Sequence, residues 1–239
     1  MGHIALEIDG ARFAFTDRHD GVSIAPYDTA NLGFATGDDP EAVAENRRRV
    51  ARAVTGDRDA HLWAWTRQVH GGRVIDVEAP GAGGDADALV TGSAGVSLVV
   101  LVADCAPIAL VAGDAVGAVH CGWRGLTVGV IDAAVNEVRE RGRSPVRAVV
   151  GPCISPAHYE FGAEELEQVA HRIGPAVRAR TAAGAPALDL RAGVGAALAA
   201  AGVADRTDVD ICTYASADHF SHRRDGVTGR QALIVTRGS

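Results

Sequence analysis

Residues 96–126 read VSLVVLVADCAPIALVAGDAVGAVHCGWRGL, and this segment carries the strongest signals for the fold class. It holds three apolar runs, at 96–103, 108–112 and 115–120, each short enough to form one buried strand. Gly113-Asp114 separates the second run from the third and predicts a tight β-hairpin. Such a series of consecutive strands predicts a mixed α/β chain rather than a regular alternation of strands and helices.

The sequence on both sides of this stretch continues the mixed pattern. Asp39 followed by Pro40 predicts the start of a helix that ends near Gly56. After Gly122, apolar residues recur at helical spacing and predict one helix to about Arg141. Further helices are predicted at 163–173 and 191–201, a Gly-rich loop at 80–85, and strands at 3–8, 12–16, 31–34, 62–66, 73–77, 88–91, 148–150, 208–214 and 231–236. No linker or repeat divides the chain, so residues 1–239 are predicted to form a single domain of the mixed α/β (α+β) class.

Composition and charge exclude several classes of protein. The chain has 239 residues, of which 47% are hydrophobic, and this is enough for a large buried core. Its net charge of −7 argues against a general nucleic-acid-binding surface. All 23 basic residues are arginine, which excludes a Schiff-base lysine and the lysine of a P-loop. A bound anion must therefore be held by arginine, by backbone amides or by a metal.

The start of the chain and its cysteines predict a cytoplasmic protein. Residues 1–10 contain acidic side chains and lack the apolar segment of a signal peptide. The longest apolar run, at 96–103, is far too short to cross a bilayer, so no membrane segment is expected. The four cysteines lack the spacing of a zinc finger and are expected to be reduced thiols.

Three side chains of metal-ligand type, those of His70, Cys105 and His120, each lie where an apolar run gives way to glycine, proline or a polar residue. Proteins of α/β type commonly build their sites at strand ends. Two imidazoles and a thiolate suit zinc, and three protein ligands leave a fourth position open, as in catalytic zinc sites. The alternative is that Cys105 is a buried core thiol and that the histidines are hydrogen-bonded structural residues.

The same three ligands could hold copper, but the patterns of copper enzymes are missing from the sequence. The nine histidines include no His-x-His pair. A blue-copper site usually has a weak axial methionine, and the one methionine here is Met1. We therefore expect zinc, and the sequence does not favour a polyphenol oxidase.

Two charged residues beside the ligands are candidates for chemistry. Asp104 precedes Cys105 and could act as a general acid or base, orient a ligand histidine, or cap a turn. Arg124 lies at the start of the predicted helix, where free N–H groups and its guanidinium would together bind an anion. The alternative for Arg124 is a packing and capping role.

Six blocks of sequence together resemble the YfiH-type proteins. The blocks are Arg67-Gln68-Val69-His70-Gly71, Ala86-Asp87-Ala88-Leu89-Val90-Thr91, Ala103-Asp104-Cys105-Ala106-Pro107-Ile108, Val119-His120-Cys121-Gly122-Trp123-Arg124-Gly125, Gly151-Pro152-Cys153-Ile154 and Arg223-Arg224-Asp225-Gly226-Val227-Thr228-Gly229-Arg230-Gln231. The resemblance runs from Asn31 to Arg230 in the family's order and implies an α/β sandwich like the cysteine-hydrolase-like domain of a bacterial cytotoxic factor. The family is known as zinc-dependent purine nucleoside phosphorylases acting on adenosine, inosine, guanosine and methylthioadenosine, with adenosine deaminase activity reported for members. Older labels are laccase-like polyphenol oxidase and peptidoglycan editing factor.

The resemblance implies roles for individual residues. His70, Cys105 and His120 would be the zinc ligands. Beyond what the resemblance implies, our own hypothesis assigns Arg124 and Arg48 to positioning the anion, Asp104 to assisting protonation of the departing purine, and Gln68 and Tyr159 to contacts with the base or sugar. The expected partners are purine nucleosides and phosphate, and the expected assembly is a monomer or homodimer.

Two other functions use the same residues. A Cys–His hydrolase would use Cys105 as nucleophile and His120 as base, and metal content separates it from the zinc enzyme. A metal-holding or peptidoglycan-editing protein of cell-wall metabolism is the non-enzymatic alternative. Adenosine deamination would need an unusual arrangement, because Pro152-Cys153-Ile154-Ser155 lacks the second cysteine of the zinc nucleobase deaminases.

Overall fold

Two six-stranded β-sheets form the centre of the computed structural model, which describes residues 2–56 and 60–238. The strands are β1 His3–Ile8, β2 Ala11–Thr16, β3 Trp63–Arg67, β4 Val74–Asp76, β5 Gly81–Asp85, β6 Ala88–Thr91, β7 Ser97–Val102, β8 Ala106–Ala112, β9 Ala115–Cys121, β10 Arg147–Val150, β11 Arg178–Arg180, β12 Pro186–Leu188, β13 Asp205–Asp208 and β14 Gln231–Arg237. The helices are α1 Pro40–Thr55, α2 Trp123–Val128, α3 Val130–Gly142, α4 Ala163–Ile173, α5 Leu190–Ala200 and α6 His222–Asp225.

Both large sheets mix parallel and antiparallel pairs. The strand order is β1-β2-β14-β7-β3-β5 in the first sheet and β13-β10-β8-β9-β6-β4 in the second, while β11 and β12 form a separate pair. β14 runs antiparallel to β2 and β7, whereas β3 is parallel to β7 and β5. The predicted hairpin is confirmed, because β8 and β9 pair antiparallel with Ala112 opposite Ala115.

Apolar side chains fill the space between the two sheets. Phe13 and Phe15 of β2 point into it, whereas Ala14 between them packs on the outer face. Val111 of β8 and Val116 of β9 approach from the second sheet. Since alternate residues of a strand face opposite sides, strands buried on both faces are apolar throughout, and this explains the unbroken apolar runs in the sequence.

Helices cover the outer faces of both sheets. Val50 and Ala51 of α1 pack against the first sheet. Ile131 and Val135 of α3, together with Val194 of α5, pack against the second. The result is a helix–sheet–sheet–helix arrangement, which confirms the predicted mixed α/β sandwich. Within the described residues, no helix is both long enough and apolar enough to cross a membrane.

Two crossings of the chain between the sheets position the candidate site. The loop that carries His70 leads from β3 in the first sheet to β4 in the second. The turn that carries Cys105 leads from β7 in the first sheet to β8 in the second. Ala106 pairs with Cys121 across β8 and β9, so His120 reaches the same edge as Cys105.

The single helix predicted after Gly122 is wrong in one respect, because the chain breaks it at Gly129 into α2 and α3. Gly129 has a φ of +84°, a left-handed conformation that glycine adopts without strain. Its N–H donates to the carbonyl of Leu126, and its own carbonyl accepts from the N–H of Ala133. The apolar periodicity continues across the break, so the pattern alone does not reveal it.

The predicted strand at 31–34 is also wrong. The side chain of Asn31 accepts the backbone N–H of Gly33 at 3.0 Å, and a short 3₁₀ turn follows at Phe34–Thr36. A side chain that bonds to nearby backbone competes with the hydrogen bonds of a sheet. This turn forms one wall of the cavity described below.

Two edges of the sheets differ from the prediction. The glycine-rich segment 80–85, predicted to be a loop, supplies the edge strand β5, where glycine is tolerated because few side chains need to pack. The strand predicted at 208–214 lies earlier, as β13. Its sequence, Asp-Arg-Thr-Asp, is polar because it too lies at a sheet edge.

Candidate metal centre

The three side chains that the sequence assigns to a metal converge at one point. The ligand atoms of His70, Cys105 and His120 all lie within 4.8 Å of one another. The two imidazole rings meet edge to face, with their centroids 4.8 Å apart. His70 is exposed, Cys105 is half-buried and His120 is buried. In the part of the chain that the structure describes, this is the one group of three or more such side chains close enough to hold a metal ion.

The buried carboxylate of Asp87 contacts both histidine segments. It accepts the backbone N–H groups of Val69, His70 and Gly71 at distances of 2.7–3.1 Å. It also accepts the ring Nδ1–H of His120 at 2.8 Å. Burial raises the pKa of Asp87, but the bonds from His120 and from these amides outweigh burial and lower it. The carboxylate is therefore ionised and acts only as an acceptor.

Gly122 allows the backbone to pass close to the cluster. A Cβ atom at this position would lie 2.7 Å from Nδ1 of His70 and 3.0 Å from Sγ of Cys105. The φ of Gly122 is −87°, which any residue can adopt. Space, and not backbone strain, therefore requires glycine at the junction between β9 and α2.

Cys105 and His120 by themselves form a thiolate–imidazolium pair. Burial raises the pKa of Cys105, but the charge of His120 and hydrogen bonds from both histidines outweigh burial and lower it to about 6. Burial lowers the pKa of His120, but the charge of Cys105 and the bond to Asp87 raise it to about 9. The thiolate is the form of cysteine that binds a metal or attacks a substrate.

A cavity of about 640 Å³ opens beside the cluster. Small-molecule sites commonly have volumes of about 300–1,000 Å³. Its wall includes the three cluster residues, the aromatic side chains Phe34 and Trp65, the arginines Arg47 and Arg230, and the polar residues Gln68 and His222. The cavity therefore offers cations and aromatic faces next to the candidate ligands.

Arg47, and not its neighbour Arg48, lines this cavity. Arg47 is 6% exposed, its Nε donates to the carbonyl of Leu32, and its guanidinium lies 4.4 Å from the ring centroid of Phe34. Burial lowers the pKa of Arg47 to about 10, so it remains charged at neutral pH. Arg48 is exposed and forms an ion pair with Glu45. The helix turns Arg48 away from the cavity, so Arg47 is the arginine of this pair that lines it, and a substrate contact by Arg48 stays a prediction.

Arg230 supplies a second cation to the cavity wall. Its Nη1 donates to the carbonyls of Thr228 and Gly229, and its backbone N–H donates to the side chain of Asn31. Burial lowers the pKa of Arg230, while the charges of Cys105 and Asp104 raise it. This guanidinium therefore lies within electrostatic reach of the cluster.

The amide of Gln68 joins the His70 loop to β7. Its Nε2 donates to the carbonyl of Leu101 at 2.7 Å, and its Oε1 accepts the N–H of Leu101 at 2.8 Å. Gln68 lines the cavity, as a substrate contact would require. Its two polar atoms are nevertheless already paired with the backbone.

Asp104 lies next to the cluster but directs its carboxylate elsewhere. One oxygen accepts from the hydroxyl of Thr213 and the other from the N–H of Arg223, both at 2.7 Å. Asp104 has a φ of 95°, so its backbone adopts a left-handed conformation. These bonds tie the Cys105 turn to the segments before β14, and proton transfer by Asp104 stays a prediction.

Arg124 and Tyr159 are absent from the wall of the cavity as described. Arg124 is exposed and its guanidinium lies 4.5 Å from a ring centroid of Trp123. Burial and the charge of Cys105 raise the pKa of Tyr159, whose ring is covered by Arg223. α2 has only six residues, so the long helix that was expected to present an anion site at Arg124 is not formed. Substrate contacts by Arg124 and Tyr159 stay predictions.

Sequence comparison places the chain among known proteins. The model of the family described as multi-copper polyphenol oxidoreductase laccase matches residues 12–238. A relative from Shigella flexneri, named purine nucleoside phosphorylase YfiH, is 36% identical over 231 residues, which cover 95% of this chain and 93% of that protein. The chain belongs to the YfiH family.

Other members of the YfiH family are similar over the whole chain. A protein of Streptomyces coelicolor named purine nucleoside phosphorylase is 46% identical over 238 residues, covering 95% of this chain and 96% of the relative. The crystal structure of YlmD from Geobacillus stearothermophilus superposes with a TM-score of 0.87 at 32% identity, covering 96% of this chain and 93% of that one. The family resemblance and the fold that it implies are confirmed.

Sequence reasoning did not assign a role to Asp87 or to Arg47. A fully buried acidic residue directly before the apolar strand β6 is a signal for Asp87, because buried carboxylates need several donors. The signal for Arg47 is its register on α1, four residues after the buried Val43 and three before the buried Val50.

Proposed function

We propose that this protein is a zinc-dependent purine nucleoside phosphorylase that converts a nucleoside and phosphate into a free purine and a pentose 1-phosphate. The names of its relatives in Streptomyces coelicolor and Shigella flexneri support this activity. The observation that carries the proposal is the cavity of about 640 Å³ whose wall contains the His70, Cys105 and His120 cluster beside two arginines.

The chemistry of the donor set favours zinc over copper. Two imidazoles and a thiolate leave one coordination position open, as in catalytic zinc sites. The family description mentions several coppers, whereas residues 2–56 and 60–238 contain a single suitable cluster. Gly122 supports the fit, because it leaves the space between His70 and Cys105 free of any side chain. When bound, zinc would act as a Lewis acid, which stabilises the charge of a transition state by several kcal/mol.

The two arginines of the cavity are suited to bind the phosphate. Among the described residues, Nε is the one guanidinium nitrogen of Arg47 with a protein acceptor, so both Nη groups remain available. Arg230 uses Nη1 for backbone carbonyls and keeps Nη2 available. A pair of guanidinium groups holds a phosphate through charge-assisted hydrogen bonds. Phe34, which is 48% exposed, offers an aromatic face to the purine.

The reaction exchanges one bond at the sugar. The bond between the anomeric carbon and the purine nitrogen breaks, and a phosphate oxygen forms a new bond to that carbon. The transition state has an electron-poor, oxocarbenium-like sugar, as in glycoside cleavage. The departing purine takes up a proton, which dihydrogen phosphate brings into the reaction, and assistance by Asp104, which lies next to Cys105, is part of the proposal.

Chromatography of adenosine incubated with zinc-loaded protein tests this function. Adenine that appears only when phosphate is present supports phosphorolysis. Inosine formed both with and without phosphate would instead make adenosine deamination the main reaction. Deamination as a side activity is part of the proposal. If neither product forms with metal-quantified protein, the phosphorylase proposal is contradicted.

A Cys–His hydrolase remains the second candidate because of one observation. The pKa of Cys105 is lowered to about 6 and that of His120 is raised to about 9, which is the charge state of a nucleophile–base pair. This candidate predicts hydrolytic activity in protein stripped of metal by a chelator. The phosphorylase predicts that the same treatment abolishes turnover.

A further inference from the structure

The buried carboxylate of Asp87 joins two ligand segments that are distant in sequence. Each of its oxygens accepts two hydrogen bonds: Oδ1 from the N–H of His70 and Nδ1 of His120, and Oδ2 from the N–H groups of Val69 and Gly71. Asp87 is 0% exposed, so water does not replace any of these bonds. One side chain thus fixes both the loop after β3 and the end of β9.

We propose that Asp87 is the positioning residue of the metal centre, which holds His70 and His120 in the arrangement that binds the ion. This inference rests on the proposed metal-dependent function. Asp87 does not touch the metal position or the substrate cavity, and it acts through the two histidines.

Its first effect is on the tautomer of His120. Backbone N–H groups point at both oxygens of Asp87, so the carboxylate is the acceptor in all of these contacts and Nδ1 of His120 is the donor that keeps its proton. Since Nδ1 of His120 is bonded to Asp87, Nε2 is the ring nitrogen left to face the cluster, whose ligand atoms lie within 4.8 Å of one another. With the proton fixed on Nδ1, the neutral ring presents a lone pair to the metal.

Its second effect is on the backbone of His70. This residue has a φ of 57°, a left-handed backbone conformation that is uncommon for residues other than glycine. Three consecutive N–H groups of the turn, from Val69 to Gly71, point at Asp87. His70 itself is exposed, and these three bonds to the buried carboxylate restrain the backbone that carries it.

Asp87→Asn is the sharpest test, because an amide of the same size has only one acceptor oxygen. In either orientation its NH₂ group faces two N–H donors. When NH₂ faces His120, the ring is driven to carry its proton on Nε2, and the lone pair that the metal needs is lost. We expect the affinity for zinc to fall by about 10–100-fold, the usual effect of removing such a partner.

Thr91→Val is the matched control. Thr91 is buried at the end of β6, the strand that follows Asp87, and its hydroxyl donates to the carbonyl of Val77. The substitution keeps the shape and removes two hydrogen bonds away from the cluster, the one to Val77 and the one that the hydroxyl accepts from the N–H of Ser93. Both variants are compared with the unaltered protein for zinc affinity, by chelator competition, and for unfolding by urea without metal.

The proposal expects weaker zinc binding in Asp87→Asn and unchanged zinc binding in Thr91→Val. Equal zinc affinities for Asp87→Asn and the unaltered protein would overturn it while leaving the proposed function intact. An unaltered protein that does not bind zinc would overturn both.

If Asp87→Asn does not fold, nitrogen NMR of the zinc-loaded unaltered protein decides. A His120 ring with its proton on Nδ1 and zinc on Nε2 is the expected result. A proton on Nε2 of His120 would overturn the proposal.

Discussion

At the level of single residues, the reactivity of the candidate site depends on the charges of Cys105, His120 and Asp87. Cys105 and His120 lie side by side at the edge where the two sheets meet, and each changes the pKa of the other. Burial alone would keep both groups neutral, but their attraction and the bond from His120 to Asp87 outweigh it. The thiolate of Cys105 is therefore suited to metal binding, and its rate of reaction with a thiol reagent can be used to measure its charge state.

Thiol labelling should distinguish Cys105 from the other cysteines. Because its pKa is about 6, its reaction with iodoacetamide in metal-free protein should change little between pH 8 and pH 7 and then slow as the pH falls through about 6. An ordinary thiol with a pKa of 9.0 would slow about tenfold between pH 8 and pH 7. Cys153 should stay unreactive, since burial raises its pKa to about 12.

The control for this labelling is Cys105→Ala, in which the fast phase should disappear, and zinc should protect the unaltered protein. A fast phase that persists in Cys105→Ala would assign the reactivity to another thiol.

Removing a ligand should remove both metal and turnover. Cys105→Ala and His120→Ala are expected to lose zinc and to slow phosphorolysis by about 10²–10⁴-fold, because Lewis-acid stabilisation amounts to several kcal/mol. Metal analysis and the rate of adenine release check this, with circular dichroism as the test of folding. Full activity in metal-free Cys105→Ala would exclude the metal-based account.

At the scale of elements, the apolar runs predicted most of the strands because both faces of these strands are buried. The ends of β7 and β9 could be predicted in the same way, and with them Cys105 and His120. The break at Gly129, the glycine strand β5 and the polar strand β13 could not be predicted, since tertiary pairing at edges and turns decides them. Which arginine of α1 lines the cavity could not be predicted either, because Arg47 and Arg48 are adjacent and packing decides which of them faces the cavity.

The junction between β9 and α2 provides a test at this scale. In Gly122→Ala the new Cβ would displace His70 and Cys105, so zinc affinity should fall. The free energy of unfolding in urea, measured without metal, should fall by about 1–3 kcal/mol at most, because the exposed His70 can turn away from the new Cβ. Gly71→Ala is the control in the neighbouring turn, since its Cβ would meet Asp87 and Val69 at an ordinary 3.6 Å. Unchanged zinc binding in Gly122→Ala would contradict the described geometry of the cluster.

The register of α1 provides a second test. Arg47→Gln should raise the KM for phosphate by about 10–100-fold, which corresponds to the loss of a charge-assisted hydrogen bond, and should change the nucleoside KM less. Arg48→Gln, one residue away on the exposed face, should leave both values unchanged. Steady-state kinetics with phosphate and adenosine varied separately would show this. Equal effects of the two substitutions would remove Arg47 from the anion site.

At the scale of the whole molecule, the two sheets act as a frame that brings three distant segments together. The loop after β3 and the turn before β8 are two of the places where the chain crosses between the sheets, and β9 ends beside that turn. Asp87 and Gly122 complete the frame, one by holding the ligands and the other by leaving them space. The cavity then adds Arg47 and Arg230, so the fold places two cationic side chains next to the candidate metal site.

The most direct measurement is a zinc titration of metal-free protein, with phosphate-dependent release of adenine from adenosine as the readout. We expect adenine release to rise with added zinc and to reach its maximum at about one equivalent per chain, as a single three-ligand site requires. Cys105→Ala should show no such rise. Full activity before any zinc is added, or an equal rise in Cys105→Ala, would contradict the claim that His70, Cys105 and His120 form the catalytic centre.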